Sequence, residues 1–293
     1  MRLNGRRSSQ NVDDRRGSSG AGRGLKLAGG GIAGIIVAVV AALLGGGDIG
    51  SILTGLLGGG AGIPGMSTEQ VYSGTAEDEE LATFSKQILA GTEDVWSEIF
   101  AQNGLTYEPP TLVLFDGATQ SACGTASEQT GPFYCSADQS VYLDLNFFRT
   151  MRQQLGADGD FAFAYVIAHE VGHHVQYLLG TLDEAHQQMQ RMSQADANRV
   201  SVRLELQADF YAGVWANHDN RRFGSLEDGD IEEALNAAGK IGDDYLQKQA
   251  QGYAVPETFN HGTSAQRSRW LKLGLSTGDP SRGDTFSLPY SQL

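Results

Sequence analysis

The sequence predicts an α+β fold that is mostly helical, with one small sheet. Apolar residues recur at helical spacing in three long segments, at residues 77–101, 161–179 and 198–217. Short runs rich in β-branched and aromatic residues predict strands at residues 111–115, 133–135 and 141–145. The chain has 293 residues, which is enough for one or two domains with an apolar core.

The remaining elements follow from local signals. Polar residues 136–140 join the last two predicted strands, which indicates a hairpin, and Gly91 is a candidate break in the first helix. Residues 116–130 are small and polar and predict a loop. Shorter helices are predicted at residues 147–155, 231–248 and 264–275. We expect a folded domain over residues 76–280 and a loose tail over 281–293.

The N-terminal arm, residues 1–26, lacks apolar periodicity and is predicted to be disordered. Residues 1–30 carry seven basic and two acidic side chains, whereas the whole chain has a formal net charge of −14. The body of the protein is therefore strongly acidic. Because such a body repels the phosphate backbone, we expect no nucleic-acid partner.

An uncharged segment, residues 27–47, predicts one transmembrane helix, because about 20 apolar residues span a bilayer. A cleaved signal peptide is the alternative, since the most continuously apolar part is short. The basic arm precedes this segment, so the positive-inside rule places the N-terminus in the cytoplasm. The domain would then be periplasmic or extracellular, anchored to the cell (inner) membrane by a single pass.

Two features flank or line the predicted anchor. Gly-rich residues 48–75 predict a linker. Within the anchor, small residues recur every four positions, at Gly30, Gly34, Ala38 and Ala42. Such a stripe can form a helix–helix contact in a homo-oligomer, but a segment that is simply rich in Gly and Ala shows it too.

The motif that carries chemistry is His169-Glu170-Val171-Gly172-His173, within the predicted helix 161–179. Residues four positions apart share a helix face, so His169 and His173 can bind one metal ion. Glu170 lies about 100° around the helix, where it can act on a water at the metal without being a ligand. The pattern arises by chance in roughly one chain in a hundred of this length, so it needs support from elsewhere.

A catalytic zinc site needs three protein ligands and one open position. The longer metzincin pattern requires Gly and His where this chain has Gln176 and Leu179, so that pattern fails. Glu205 on the next predicted helix can complete a His₂Glu site instead. Asp209, one turn further along, can accept the N–H of a ligand imidazole. A solvated carboxylate face is the alternative, but apolar neighbours indicate that this helix is buried.

These stretches together resemble one known family, the bacterial membrane-anchored neutral zinc metallopeptidases. The resemblance covers nearly the whole chain and rests on residues 11–16, 123–148, 169–173, 205–215 and 261–267. It implies a zincin fold of the gluzincin type and a Zn²⁺ cofactor held by His169, His173 and Glu205. It also implies a protein or peptide substrate, without identifying it.

In the reaction expected of such a site, a zinc-bound water attacks the scissile carbonyl and Glu170 is the general base. His261 is the candidate stabiliser of the oxyanion, with Arg267 behind it. Alternatively, His261 caps the last helix or packs against it, and Arg267 is a structural ion-pair partner. The competing function is a non-proteolytic zinc-binding partner or assembly protein that retains the fold.

Cys123 and Cys135 are the only two cysteines. The predicted topology places them outside the cytoplasm, where disulfides persist, so we predict a bond between them, worth about 3 kcal/mol. Two free thiols, or zinc ligation, are the alternatives. We also expect a substrate peptide to pair with an edge strand beside the motif helix, at residues 133–135 or 141–144.

Overall fold

The computed structural model describes residues 1–17, 74–127 and 130–293. This part of the chain is α+β and mostly helical with a small sheet, which confirms the predicted fold class. The predicted anchor at residues 27–47 and nearly all of the predicted linker lie outside the described residues. Among the described helices, none is both long enough and apolar enough to cross a membrane.

The described residues form six strands: β1 (Val12–Asp14), β2 (Thr111–Phe115), β3 (Ala118–Ser121), β4 (Gly124–Ser127), β5 (Phe133–Cys135) and β6 (Ser140–Asp144). Four of them make one sheet in the order β1-β2-β6-β5, in which β1, β2 and β6 are parallel and β5 is antiparallel. The β5–β6 hairpin confirms the predicted one. Strands β3 and β4 pair as a second hairpin inside the segment predicted to be a loop.

Eight α-helices are described: α1 (Ala76–Gln102), α2 (Asn146–Thr150), α3 (Asp160–Leu178), α4 (Thr181–Met189), α5 (Gln194–Phe223), α6 (Asp230–Lys240), α7 (Asp243–Gln251) and α8 (Ser264–Thr277). A π-helical turn, Met151–Leu155, extends α2. Short 3₁₀ turns occur at Pro256–Thr258, Pro280–Arg282 and Tyr290–Gln292.

Two helices differ from their predicted form, and each difference concerns a glycine. Helix α1 runs through Gly91 without a break, and a capping box of Thr75 and Asp78 fixes its start. The single helix predicted at residues 231–248 is instead two helices, separated before Gly242. A Cβ atom at Gly242 would lie 2.3 Å from the backbone nitrogen of Ser264, so the start of α8 occupies that space. This contact is invisible to a search for helical periodicity.

Both chain ends are more ordered than predicted. Residues 1–17 pack on the domain, with Val12 opposite Leu112 in the sheet, so the disorder expected of the arm is wrong for these residues. The tail 281–293 is also packed rather than loose: Thr285 is fully buried, and the Gly283 carbonyl accepts a hydrogen bond of 2.8 Å from Gln207. In both cases the partners are far away in the sequence, so local composition could not reveal them.

The core lies between the sheet and the long helices. Alternate residues of β2, such as Leu112 and Leu114, join the main core with residues of α1, α3 and α5. Helix α3 is buried along most of its length, from Phe161 to Gln176. Helix α5 packs against both α3 and α8, so the motif helix is held by neighbours on several sides.

Candidate metal centre

The two histidines of the motif and Glu205 come together where α3 crosses α5. Nε2 of His169 lies 3.2 Å from one oxygen of Glu205, and Nε2 of His173 lies 3.4 Å from the other. The two helices can approach this closely because Gly172 faces α5. A Cβ atom there would lie 2.9 Å from the carbonyl oxygen of Ala208. The motif glycine therefore sets the spacing between the candidate ligands.

On the other side of its ring, His169 contacts a buried carboxylate. Its Nδ1 lies 2.8 Å from Asp209, which is fully buried. Tyr165 donates a hydrogen bond of 2.5 Å to Asp209, and Arg267 donates two of 2.9 Å. Burial raises the pKa of Asp209, but Arg267 and His169 lower it, and the net result is below its ordinary value. Asp209 is therefore a carboxylate, as predicted for an acceptor of the imidazole N–H.

His173 has a neutral partner. Its Nδ1 lies 2.8 Å from the amide oxygen of Gln176, a fully buried side chain one turn along α3. The amide nitrogen of Gln176 donates to the carbonyl of Leu204 at 2.7 Å and to Gln207 at 3.1 Å. These two acceptors fix the amide so that its oxygen faces His173. Sequence reasoning missed this role, and the only available signal was the three-residue spacing from His173.

The donor atoms fit a bound zinc ion. Asp209 and the amide oxygen of Gln176 can only accept, so both imidazoles carry their proton on Nδ1. The Nε2 lone pairs of His169 and His173 then face the oxygens of Glu205, which are acceptors as well. Either a proton on each Nε2 or one shared cation satisfies these contacts, and the three ligand atoms lie within 4.8 Å of one another, close enough to share one ion. Two imidazoles and one carboxylate are a donor set that zinc prefers.

The electrostatic surroundings also favour a cation. Burial raises the pKa of Glu205, but His173 and His169 lower it well below its ordinary value. Burial lowers the pKa of His169, but Asp209 and Glu205 raise it to about 10. The same negative groups that would hold a proton on His169 attract a metal ion in its place.

Glu170 lies beside the candidate ligands, as predicted. Its side chain is buried, and burial raises its pKa. It lines a cleft of about 520 Å³ together with His169, His173 and Glu205. Apolar side chains form much of the rest of the wall, among them Leu155 and Val166. A carboxylate with a raised pKa in such a cleft is suited to accept a proton from a reacting water.

His261 lines the same cleft, and its side chain is 37% exposed. Its Nδ1 lies 3.1 Å from Asp243, which also accepts hydrogen bonds from the backbone nitrogens of residues 260–262. Enclosure lowers the pKa of His261, but Asp243 and Glu205 raise it above its ordinary value. The alternative that His261 caps the last helix is wrong, because Thr263 is the N-cap of α8. Asp243 was not singled out from the sequence.

The side chain of Arg267 is less accessible from the cleft than that of His261. Its side chain is 3% exposed, and its nearest acceptors are the two oxygens of Asp209. Its guanidinium lies 3.7 Å from Glu205 and 3.4 Å from Nδ1 of His169. The structure therefore places Arg267 behind the candidate ligands, in a structural ion pair with Asp209, which was the alternative raised from the sequence.

Cys123 and Cys135 form the predicted disulfide bond, with an Sγ–Sγ distance of 2.02 Å. The bond links the end of β5 to the turn between β3 and β4. Among the described strands, β5 pairs with β6 alone, whereas β6 has a neighbour on each side. Of the two strands predicted to receive a substrate, only β5 therefore has an open edge.

A second group of acids in the described part of the chain, Asp160, Asp230 and Glu233, also has metal-like spacing. The amino group of Met1 lies 2.8 Å from Asp160 and 3.3 Å from Asp230. This amino group supplies the positive charge that the acids require, so we do not consider them a metal site.

The family described as "Putative neutral zinc metallopeptidase" matches residues 1–286. The chain belongs to this family. Zinc is accordingly the metal that the family implies for the centre of His169, His173 and Glu205.

Two relatives from different organisms are similar to the chain over most of their length. "Uncharacterized protein YpfJ" of Escherichia coli (strain K12) is 50% identical over 292 residues, which is 98% of this chain and 99% of the relative. "Uncharacterized protein Rv2575" of Mycobacterium tuberculosis (strain H37Rv) is 46% identical over 191 residues, covering 62% and 64% of the two chains. No solved structure matches the chain.

Proposed function

We propose that the protein is a zinc-dependent peptidase that hydrolyses internal peptide bonds, with Glu170 as the general base. The observation that carries the proposal is the position of Glu170. It is a buried carboxylate with a raised pKa, beside two imidazoles and a carboxylate that converge in the wall of one cleft. A purely structural zinc site would need neither the cleft nor this uncoordinated acid.

His169, His173 and Glu205 would hold the ion. When bound, zinc supplies Lewis acidity, which polarises the scissile carbonyl and makes water more acidic. Glu170 takes the proton from the attacking water and passes it to the leaving amine. Asp209 and Gln176 keep both imidazoles in the tautomer that directs Nε2 toward the ion.

His261 is the side chain that we assign to the oxyanion. It lines the cleft, and Asp243 orients it and favours its protonated form. An imidazolium is a strong hydrogen-bond donor to a developing negative charge. Arg267 is a positioning residue, because Asp209 occupies its guanidinium.

The open edge of β5 is the proposed docking strand for the substrate. A peptide that lies along this edge would pair through its backbone, while the apolar cleft wall receives a side chain. His174 supports the strand from behind, since its Nδ1 accepts a hydrogen bond of 2.9 Å from Tyr134. Replacing successive substrate amides by N-methyl amides tests this pairing. We expect kcat/KM to fall about tenfold at alternate positions, whereas a uniform response would argue against strand pairing.

The disulfide bond supports a site of action outside the reducing cytoplasm. Membrane attachment through residues 27–47, and self-association through the small residues of that segment, remain predictions from the sequence.

The decisive experiment compares wild type with Glu170→Gln in the full-length chain. We expect zinc stoichiometry to stay at one and peptide cleavage to fall about 10²–10⁴-fold, because the base is lost while the ligands remain. Glu184→Gln on α4 is the matched control, since Glu184 is an exposed carboxylate away from the ligands.

Two outcomes of this comparison would contradict the proposal. Equal activity of wild type and Glu170→Gln would remove Glu170 from the mechanism. One zinc per chain with no cleavage of any sequence in a peptide library would favour the non-proteolytic alternative.

A further inference from the structure

The arm of residues 1–17 is built into the domain as an edge strand. Strand β1 runs parallel to β2, in register from Val12 opposite Leu112 to Asp14 opposite Leu114. Two backbone hydrogen bonds, of 2.9 and 2.8 Å, flank the pairing, from Leu112 to Asn11 and from Arg15 to Leu114. Without the arm, the apolar strand β2 would present unpaired backbone groups at the sheet edge.

The domain contains a socket for the side chain of Arg6. Arg6 lies 2.6 Å from Asp219, which is fully buried. The socket requires Gly91 in the middle of α1. A Cβ atom there would lie 2.9 Å from the guanidinium of Arg6 and 3.1 Å from Asp219. Glycine within a helix is destabilising, so its presence at the point of contact is explained by the docked arginine.

A second buried acid, Glu93, is satisfied by the arm as well. Ser9 donates to Glu93 at 2.5 Å, Asn11 donates at 2.8 Å, and Arg7 lies 2.8 Å away. Buried carboxylates are costly unless they are paired and hydrogen-bonded. Asp219 and Glu93 are thus buried acids of the domain whose partners here come from the arm.

The arm ends beside the start of α1. The guanidinium of Arg16 donates to the backbone carbonyl of Asp78 at 3.1 Å and lies 3.2 Å from Glu79. Residues 17 and 74, the last and first described residues on either side of the gap, therefore both belong to the same folded domain. A folded domain lies on one side of a bilayer, so residues 17 and 74 face the same compartment.

We propose that the N-terminal arm and the catalytic domain share one compartment, so that residues 27–47 do not separate them. This replaces the single pass, with a cytoplasmic N-terminus and an external domain, that the charge distribution predicts. The proposal does not depend on peptidase activity.

Cysteine labelling of the full-length chain in bacterial cells tests the proposal. Gln10→Cys places a thiol on the arm and Ser276→Cys places one on the domain, and both positions are exposed. The two native cysteines are bonded to each other and do not react. A membrane-impermeant maleimide is applied to intact spheroplasts and, for total labelling, to lysed ones. We expect both thiols to react before lysis or both to be protected. Reaction of one and protection of the other would overturn the proposal.

A second experiment tests whether the arm is docked in the protein. Gly91→Ala fills the space of Arg6, and we expect trypsin to cut the arm at least about tenfold faster than in wild type. Gly239→Ala is the matched control, because the nearest side-chain atom to a Cβ atom there is 3.8 Å away. Equal cleavage of wild type and both variants would show that the arm does not occupy the socket, and the proposal would fail.

Discussion

The two imidazoles of the metal centre lie one helical turn apart, yet their surroundings differ in charge. His169 donates to Asp209, a fully buried carboxylate that Arg267 and Tyr165 also bind. His173 donates to the neutral amide of Gln176, which is held by a backbone carbonyl and another amide. The ring of His173 is also the more exposed of the two, 14% against 8%.

The difference shows how one helix can supply two ligands of unequal strength. A carboxylate partner raises the basicity of an imidazole, whereas an amide mainly orients it. Asp209 can remain ionised in the interior because Arg267 balances its charge. We therefore expect the His169 side to determine zinc affinity and much of the stability, and the His173 side to contribute orientation. Three variants test this division.

Asp209→Asn should have the largest effect. It removes the negative charge behind His169 and leaves the buried Arg267 with the more distant Glu205, at 3.7 Å, in place of its nearest anionic partner. We expect zinc affinity to fall by up to about 100-fold and the free energy of unfolding to fall by about 3–5 kcal/mol. Chelator competition and urea denaturation measure the two quantities. Glu98→Gln, which breaks the exposed pair with Arg222, is the control and should cost less than about 1 kcal/mol.

Gln176→Ala should have an intermediate effect. It removes the acceptor of the His173 N–H and leaves the Leu204 carbonyl without this donor. We expect about a tenfold loss of zinc affinity and a loss of about 1–3 kcal/mol in stability. A loss of affinity as large as that of Asp209→Asn would contradict this division. It would mean that the negative charge of Asp209 does not distinguish the surroundings of His169 from those of His173.

Tyr165→Phe should have the smallest effect. It deletes one hydrogen bond to Asp209 and keeps the ring that fills the core. The two hydrogen bonds from Arg267 remain, so we expect a loss of about 1–2 kcal/mol in stability. Zinc affinity should change less than in Gln176→Ala under the same chelator competition. A larger change than that would assign Tyr165, rather than Arg267, the main role in holding Asp209.

Much of the set of candidate zinc ligands could be predicted from the sequence. Helix geometry fixes which residues share a face, so the four-residue spacings of His169 with His173 and of Glu205 with Asp209 were informative on their own. The main strands were predictable for similar local reasons, whereas the bond between the cysteines was predicted from the expected location of the domain outside the cytoplasm. The anchor at residues 27–47 stays a prediction.

Other parts of the site could not be read from spacing. Gln176 and Asp243 act through contacts that exist only after α3, α5, α7 and α8 have packed. The same holds for the break before Gly242, which depends on the start of α8. The arm is the clearest case: three residues of strand and a few arginines resemble a disordered basic segment until β2 and the buried acids are beside them.

The sequence alone determined the three long helices, three of the six described strands and the identity of the candidate zinc ligands, because these depend on patterns within one element. The tertiary structure decided which groups contact the far side of each ligand, which strand has an open edge, and that the arm packs on the domain. Those features depend on contacts between residues that are distant in the chain, where geometry is set by close packing rather than by local spacing.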